Sequence, residues 1–295
     1  EQLRERAAGA HALLTLLTFA DAQATSDKLW NGFKDSLLWS LYRKAMQEMT
    51  RGPELARVEE EQREALLAEG GTLLPPRLSE EELQAHFGTL PPRYFLVQSA
   101  REVLEDLELA NQFMRLQISE TESPLTPVIH WHDDRDRACN AVKVCTWDRA
   151  GLFRKMAGSL SAAGLNIFSA QIFSRLDGIV LDTFFVNDAR SGDLAGAEQR
   201  KKFQDLLTRS LNEEEIDFHA LIARQKLGRP LYQAYTGEQL PTRIELDNES
   251  SDSRTVIEVE TEDRIGLLYT ISQTLTELGL DISGAKVCTE KGAAI

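Results

Sequence analysis

The sequence predicts an α+β fold, in which a helical N-terminal part is followed by two copies of one module of strands and helices. Two observations support this prediction. Apolar side chains recur at helical spacing through residues 1–120, whereas runs typical of strands begin near residue 140. The segment that begins there is repeated at an offset of 115 residues, and the second copy stops at Ile295, so we expect it to be truncated.

The first 52 residues are predicted to form two helices. The first helix runs through the leucines of residues 13–17, and the second places Phe33, Leu37 and Leu41 on one stripe with a period of 3.6 residues. Residues 51–53 (RGP) interrupt this pattern, because glycine and proline both break helices.

Residues 53–137 are predicted to form a helical connector. Ser79 is followed three residues later by Glu82, which is the pattern of a capping box, so a helix should begin at this point. A further helix is expected over residues 100–116. The charged run at residues 59–64 (EEEQRE) is most simply the solvated face of a helix.

The repeated module has the order strand, helix, strand, strand, helix. In the first copy these elements are predicted over residues 141–146, 152–163, 166–174, 179–186 and 195–211. The motif Asp-Arg-x-Gly-Leu at residues 148–152 recurs at residues 263–267, which marks an internal duplication. Residues 227–254 are rich in glycine, proline and polar side chains and are predicted to be a linker, with one short extended piece near residues 243–246.

In each copy, a strand ends in a glycine-containing turn that leads directly into an amphipathic helix. Glycine lets the backbone turn tightly and leaves room for a ligand against bare amides. Amides at the start of a helix lie at the positive end of its dipole, so this turn can hold a small carboxylate or phosphate. The alternative is that Gly151 and Gly266 are only turn residues, with Asp148 and Asp263 as helix caps.

These motifs resemble those of ACT domains, which are ferredoxin-like βαββαβ modules that bind amino acids and other small effectors. The resemblance rests on Asp-Arg-x-Gly-Leu, on the Gly-Leu-Asn-Ile or Gly-Leu-Asp-Ile that follows the helix, and on an Asp-Gly hairpin. It implies an effector held between the turn of one module and the second strand of a packed partner. The implied effector-binding residues are Asp148, Arg149, Gly151, Leu152, Asn166 and Ile167 in the first copy and Asp263, Arg264, Gly266, Leu267, Asp281 and Ile282 in the second.

Four further segments resemble the C-terminal part of the bifunctional PII uridylyltransferase/uridylyl-removing enzymes. These segments are residues 19–25 (FADAQAT), 29–38 (LWNGFKDSLL), 86–96 (HFGTLPPRYFL) and 243–249 (RIELDNE). The first two resemble the end of the HD domain of that family, and the third resembles its connector. The resemblance implies the end of an HD domain at 1–52, a connector at 53–137, ACT domains at 138–226 and 255–295, and a linker at 227–254.

By this resemblance, the parent enzyme senses glutamine and modifies the PII nitrogen-signalling protein. It adds uridylyl groups from UTP in a Mg²⁺-dependent transferase domain and removes them by hydrolysis in the HD domain. Asp21 matches the last metal-ligating aspartate of the HD site. The other metal motifs lie upstream in the family, so we expect no catalytic residue in this chain and no activity from the chain alone.

Composition limits the partners. With 33 Lys+Arg against 47 Asp+Glu, the net charge is −14, which disfavours nucleic acid and anionic membranes. No apolar run approaches the ~20 residues of a membrane span. The three cysteines are too few and too scattered for a disulfide framework, which favours the cytoplasm.

Two alternatives stay open at this point. One is a stand-alone ACT-repeat protein that binds amino acids without catalysis. The other is the C-terminal part of another enzyme with HD and ACT modules, such as a (p)ppGpp synthetase/hydrolase. The helices of residues 1–50 and the run at residues 29–38 favour the uridylyltransferase family over both.

Overall fold

A computed structural model describes most of the chain beyond residue 52. The described residues are 13–20, 38, 42, 53–119, 125–135, 138–225, 241–248, 255–262, 264–280, 282, 289–290 and 293–294. They divide into two compact units, Glu1–Leu107 and Glu108–Ile295.

The described part of the first unit is helical. Residues 13–20 form a helix, and the part of the chain described from residue 53 onward contains α1 (Pro53–Leu73), α2 (Glu80–Thr89), α3 (Pro92–Phe95) and α4 (Ala100–Ser119), the last of which continues into the second unit. The predicted capping box is confirmed, since the Glu82 amide donates to Ser79 Oγ (3.1 Å) and the Ser79 amide donates to Glu82 Oε2 (2.8 Å). None of the described helices is long and apolar enough to cross a membrane.

The second unit begins with a four-stranded antiparallel sheet. Its elements are β1 (Val128–Asp134), β2 (Cys139–Trp147), α5 (Leu152–Ala162), β3 (Leu165–Gln171), β4 (Ile179–Asp188), α6 (Ala197–Leu211) and α7 (Phe218–Gln225). The strand order is β1-β2-β4-β3. Residues 128–225 are called the first copy below. Its core lies between the sheet and the helices, where Phe184, Met156 and Phe203 are fully buried.

The second copy, residues 243–294, repeats β1, β2 and α5 of this arrangement. It contains β5 (Arg243–Asp247), β6 (Val256–Glu262), α8 (Leu267–Glu277), β7 (Thr289–Glu290) and β8 (Ala293–Ala294), with strand order β5-β6-β8-β7. The offset of 115 residues carries the bounds of α5 onto those of α8. In the β1–β2 hairpin Val128 pairs with Cys145, and in the β5–β6 hairpin the residues at the same offset, Arg243 and Glu260, pair with each other. The two hairpins therefore have the same register.

The predicted α+β fold class is confirmed, with helices followed by antiparallel sheets that are compatible with ferredoxin-like modules. The chain order differs from βαββαβ in one detail. The fourth strand of the first sheet is β1, which precedes the other elements and pairs with β2 in a hairpin. Correspondingly, β5 lies within the predicted linker and is the edge strand of the second sheet.

The second sheet exposes an apolar face that its counterpart buries. Ile244, Leu246 and Ile257 are 63%, 67% and 37% exposed. Their counterparts at the 115-residue offset are Ile129, Trp131 and Val142, which belong to or pack against the core of the first copy. Trp131 meets the Phe203 ring of α6 at 5.8 Å between centroids, so α6 covers this face in the first copy.

Candidate functional site

The two Asp-Arg-x-Gly-Leu turns have the same backbone geometry. Gly151 precedes α5 with φ 72° and ψ 10°, and Gly266 precedes α8 with φ 81° and ψ 7°. Both are left-handed conformations, in which a β-carbon is strained, so the turn requires glycine. In both turns the glycine carbonyl accepts the first helical bond, from Lys155 N (3.2 Å) and from Thr270 N (3.0 Å).

Asp148 is not the helix cap of α5. The N-cap position of α5 is Gly151, and no side chain caps it. Asp148 is exposed, and its amide donates to the Gly178 carbonyl at 2.7 Å, which ties the turn to the β3–β4 hairpin. Asp263 and Asp281 of the second copy, like the metal-ligand candidate Asp21, lie outside the described residues.

Arg149 is directed toward the end of α6. Its Nη1 donates to the Leu211 carbonyl at 3.0 Å, and Lys155 Nζ donates to the Ser210 carbonyl at 2.7 Å. Two cations therefore bind the last carbonyls of α6, where the helix dipole is negative. Burial lowers the pKa of Lys155, and the charge of Arg149 lowers this pKa further. Burial also lowers the pKa of Arg149, against the attraction of Glu213.

Within one copy, the expected effector residues do not come together. The turn follows Trp147, which pairs with Ile179 at one end of the sheet. Asn166 pairs with Asn187 near the other end, where Asn140 pairs with Val186. At about 3.3 Å per residue, the seven steps from Asn140 to Trp147 span roughly 23 Å. Leu152 and Ile167 are buried in the core of the first copy.

The packing of the two copies brings the first turn to the second copy. A β-carbon on Gly151 would lie 3.4 Å from Thr276 Cγ2, at the end of α8, and one on Gly158 would lie 2.9 Å from Tyr269 Cδ2, near its start. Helices α5 and α8 are therefore antiparallel. The first turn therefore lies beside the end of α8 of the other copy.

Comparison with known proteins identifies relatives over almost the whole chain. The chain is 32% identical over 287 residues to the bifunctional uridylyltransferase/uridylyl-removing enzyme of Azospirillum brasilense, covering 96% of this chain and 29% of that enzyme. The enzymes of the same name from Ruegeria pomeroyi and Cereibacter sphaeroides are 30% and 31% identical, each over 94% of this chain. The chain is a relative of one part of these bifunctional enzymes. The predicted family resemblance is confirmed, and the chain spans less than a third of the length of these curated relatives.

Two other comparisons found nothing similar. No family model matches the chain, and no solved structure does.

The connector motif that resembles the uridylyltransferase/uridylyl-removing enzymes forms part of a helical core. Phe87 and Phe95 stack with their ring centroids 4.8 Å apart. Between them in sequence, Tyr94 is fully buried and its hydroxyl donates to Asp106 Oδ2 at 2.7 Å. Most of the motifs at residues 19–25 and 29–38 lies outside the described residues.

Two side chains of β1, His130 and Asp133, bind polar side chains of other elements. His130 Nε2 lies 2.9 Å from Gln112 Oε1, and Asp133 Oδ1 accepts bonds from Asn140 and Arg200, both at 2.8 Å. Among the residues that the structure describes, no group of three or more His, Cys, Asp or Glu side chains could hold a metal ion.

Sequence reasoning missed the helix α7 and its contact with the second turn. A β-carbon on Gly266 would lie 2.7 Å from Ile222 Cγ2, whereas no sequence motif links these residues. The spacing of Phe218 and Ile222, four residues apart, is the one signal that indicates an apolar helix face at this place.

Proposed function

We propose that this chain is a regulatory part of an enzyme that uridylylates and deuridylylates the PII signalling protein, and that its repeated modules bind glutamine. The names of its relatives support the enzyme class. The resemblance to ACT domains supports an amino acid as effector. PII and free glutamine are then the partners of the parent enzyme.

The observation that carries the effector assignment is the position of Gly151 between two modules. Gly151 has a left-handed backbone and precedes the first residue of α5. A β-carbon built on Gly151 would lie 3.4 Å from Thr276 Cγ2 of the other copy. In the proposed complex, the α-carboxylate of glutamine lies against the amides at the start of α5, where the helix dipole favours an anion. The second strand of the other copy, with Asp281 and Ile282, reads the side-chain amide.

Catalysis by the parent enzyme is expected to require groups in addition to those of this chain. Transfer from UTP requires Mg²⁺ and a transferase domain, and removal requires the complete ligand set of an HD site, to which Asp21 contributes one carboxylate. The chain alone is expected to leave PII unmodified. Incubation with PII, UTP and Mg²⁺, followed by mass spectrometry of PII, tests this expectation, and any gain of a uridylyl group contradicts it.

Calorimetry with glutamine and glutamate tests the effector assignment. Gly151→Val should abolish glutamine binding, because a β-branched side chain fills the turn and resists a positive φ. Gly192→Val is the matched control, since Gly192 also has a positive φ (75°) but lies in the loop before α6. Equal loss of binding in both variants would point to general unfolding. Unchanged affinity in Gly151→Val would show that the turn is only structural.

A further inference from the structure

We infer that Ile222 closes the second turn, so that the two turns are not equivalent and only the first can admit an effector. This inference rests on the proposed function, because it concerns which of the two proposed effector sites is open.

The space above Gly266 is filled by a hydrocarbon side chain. A β-carbon on Gly266 would lie 2.7 Å from Ile222 Cγ2 and 3.3 Å from Ile222 Cδ1. Gly266 is buried, and Ile222 is only 3% exposed. A ligand atom approaching the start of α8 from this side would have to displace Ile222. An isoleucine also offers no hydrogen bond to a carboxylate in place of water.

The corresponding space at Gly151 is less crowded and more polar. Gly151 is half-buried, and a β-carbon on it would meet Thr276 Cγ2 at 3.4 Å, which is an ordinary contact distance. The same β-carbon would lie 3.9 Å from Arg154 Nε, a buried donor for which no hydrogen-bond partner is found among the described residues. The first turn therefore presents a cationic donor to an anion.

The second turn has no cationic counterpart of this donor. The offset of 115 residues places Tyr269 where the first copy has Arg154. The Tyr269 ring packs on Phe218 with a centroid distance of 5.7 Å, and it is 5% exposed. The second turn therefore has the hydrocarbon side chain of Ile222 over its glycine and a neutral phenol in place of the guanidinium, so it offers no cation to a carboxylate.

The position of Ile222 follows from the packing of α7. Phe218 lies one helical turn before Ile222, on the same face of α7. Phe218 is wedged against Gly158 of α5 and Tyr269 of α8, since a β-carbon on Gly158 would lie 2.9 Å from both rings. This contact anchors α7 across the two copies and holds Ile222 over Gly266.

The stoichiometry of glutamine binding tests the inference. In titration calorimetry, the wild-type chain should bind one glutamine, and Ile222→Ala should gain a second, weaker site. Leu221→Ala is the matched control, because Leu221 is a partly buried neighbour on the same helix and should leave one site. Two sites in the wild type, or one site in a folded Ile222→Ala variant, would overturn the inference.

A double variant distinguishes glutamine binding at the first turn from binding at the second turn. Gly151→Val alone should leave no site, whereas Gly151→Val combined with Ile222→Ala should leave only the weak second site. Near-ultraviolet circular dichroism confirms that each protein is folded. Glutamine binding in the Gly151→Val single variant would also overturn the inference. Absence of binding in the wild type, Leu221→Ala and Ile222→Ala alike would instead contradict the proposed function.

Discussion

Gly158 of α5 lies so close to Tyr269 of α8 that a β-carbon on Gly158 would be 2.9 Å from Tyr269 Cδ2. The absence of a side chain at Gly158 lets helices from the two copies approach each other. Phe218 contributes to the same contact, and both Phe218 and Tyr269 belong to the core of the first copy. The two copies therefore share one hydrophobic core at this crossing.

Gly158→Ala is expected to destabilise this core. The added methyl group must displace two aromatic rings, and overpacking of this kind costs about 1–3 kcal/mol, offset in part by the better helix propensity of alanine. Thermal unfolding monitors the change. In a Phe218→Leu background the same substitution should cost less, because one of the two rings is gone. Equal costs in both backgrounds would show that Phe218 does not constrain this position.

Arg149→Met and Lys155→Met are each expected to loosen the end of α6. Each removes a charged donor from a C-terminal carbonyl of that helix, which costs about 1 kcal/mol at a half-buried position. Because both cations serve the same helix end, the double variant should cost less than the sum of the two. Lys201→Met, on the exposed side of α6, is the control and should change stability little. Denaturant unfolding measures all four variants.

Tyr269 should make stability fall at high pH. Burial raises the pKa of its hydroxyl in the folded protein, and Asp217 raises it further, whereas Arg154 opposes both effects. As pH rises above the ordinary value of about 10, the unfolded chain loses this proton first, so the unfolded state is favoured. The stability that the raised pKa of Tyr269 contributes is fully present below pH 10 and is lost as pH rises through the folded-state pKa. Unfolding free energies from pH 8 to 11 should therefore decline less steeply in Tyr269→Phe than in the wild type.

The hairpin of β5 and β6 should exchange its amide hydrogens faster than that of β1 and β2. The two hairpins have the same register, but the apolar face of the second is exposed at Ile244 and Leu246. Fewer buried contacts lower the free energy of local opening. Hydrogen exchange followed by mass spectrometry compares the two segments within one protein. Equal protection would mean that another group covers the face of β5 and β6 in solution.

Local patterns predicted much of this structure. The capping box at Ser79 depends only on neighbouring residues, and it is present as predicted. The repeated turns at Gly151 and Gly266 also follow from local sequence, since the same motif produces the same left-handed backbone twice. Cys145 is buried, as its place in a predicted strand indicates.

Features that depend on distant partners were not predictable in this way. The alternation in β1 suits a strand, but its place in the sheet is decided by pairing with β2. Arg149 reaches the carbonyl of Leu211, 62 residues away, and no local pattern links the two. The contact between Ile222 and Gly266 depends on how two copies pack, which the duplication itself does not specify.

The hairpin formed by β1 and β2 also bears on the order of folding. Only the short segment between Asp134 and Cys139 separates these strands, whereas a fourth strand placed after α6 would have to close a loop of more than fifty residues. By loop-closure entropy the longer loop would cost about 2 kcal/mol more before any contact forms. Hairpins form within microseconds, and chains are synthesised from the N-terminus at about 5–20 residues per second. Strands β1 and β2 can therefore pair as soon as they leave the ribosome, and β4 can then pair with a β2 strand that is already part of a hairpin.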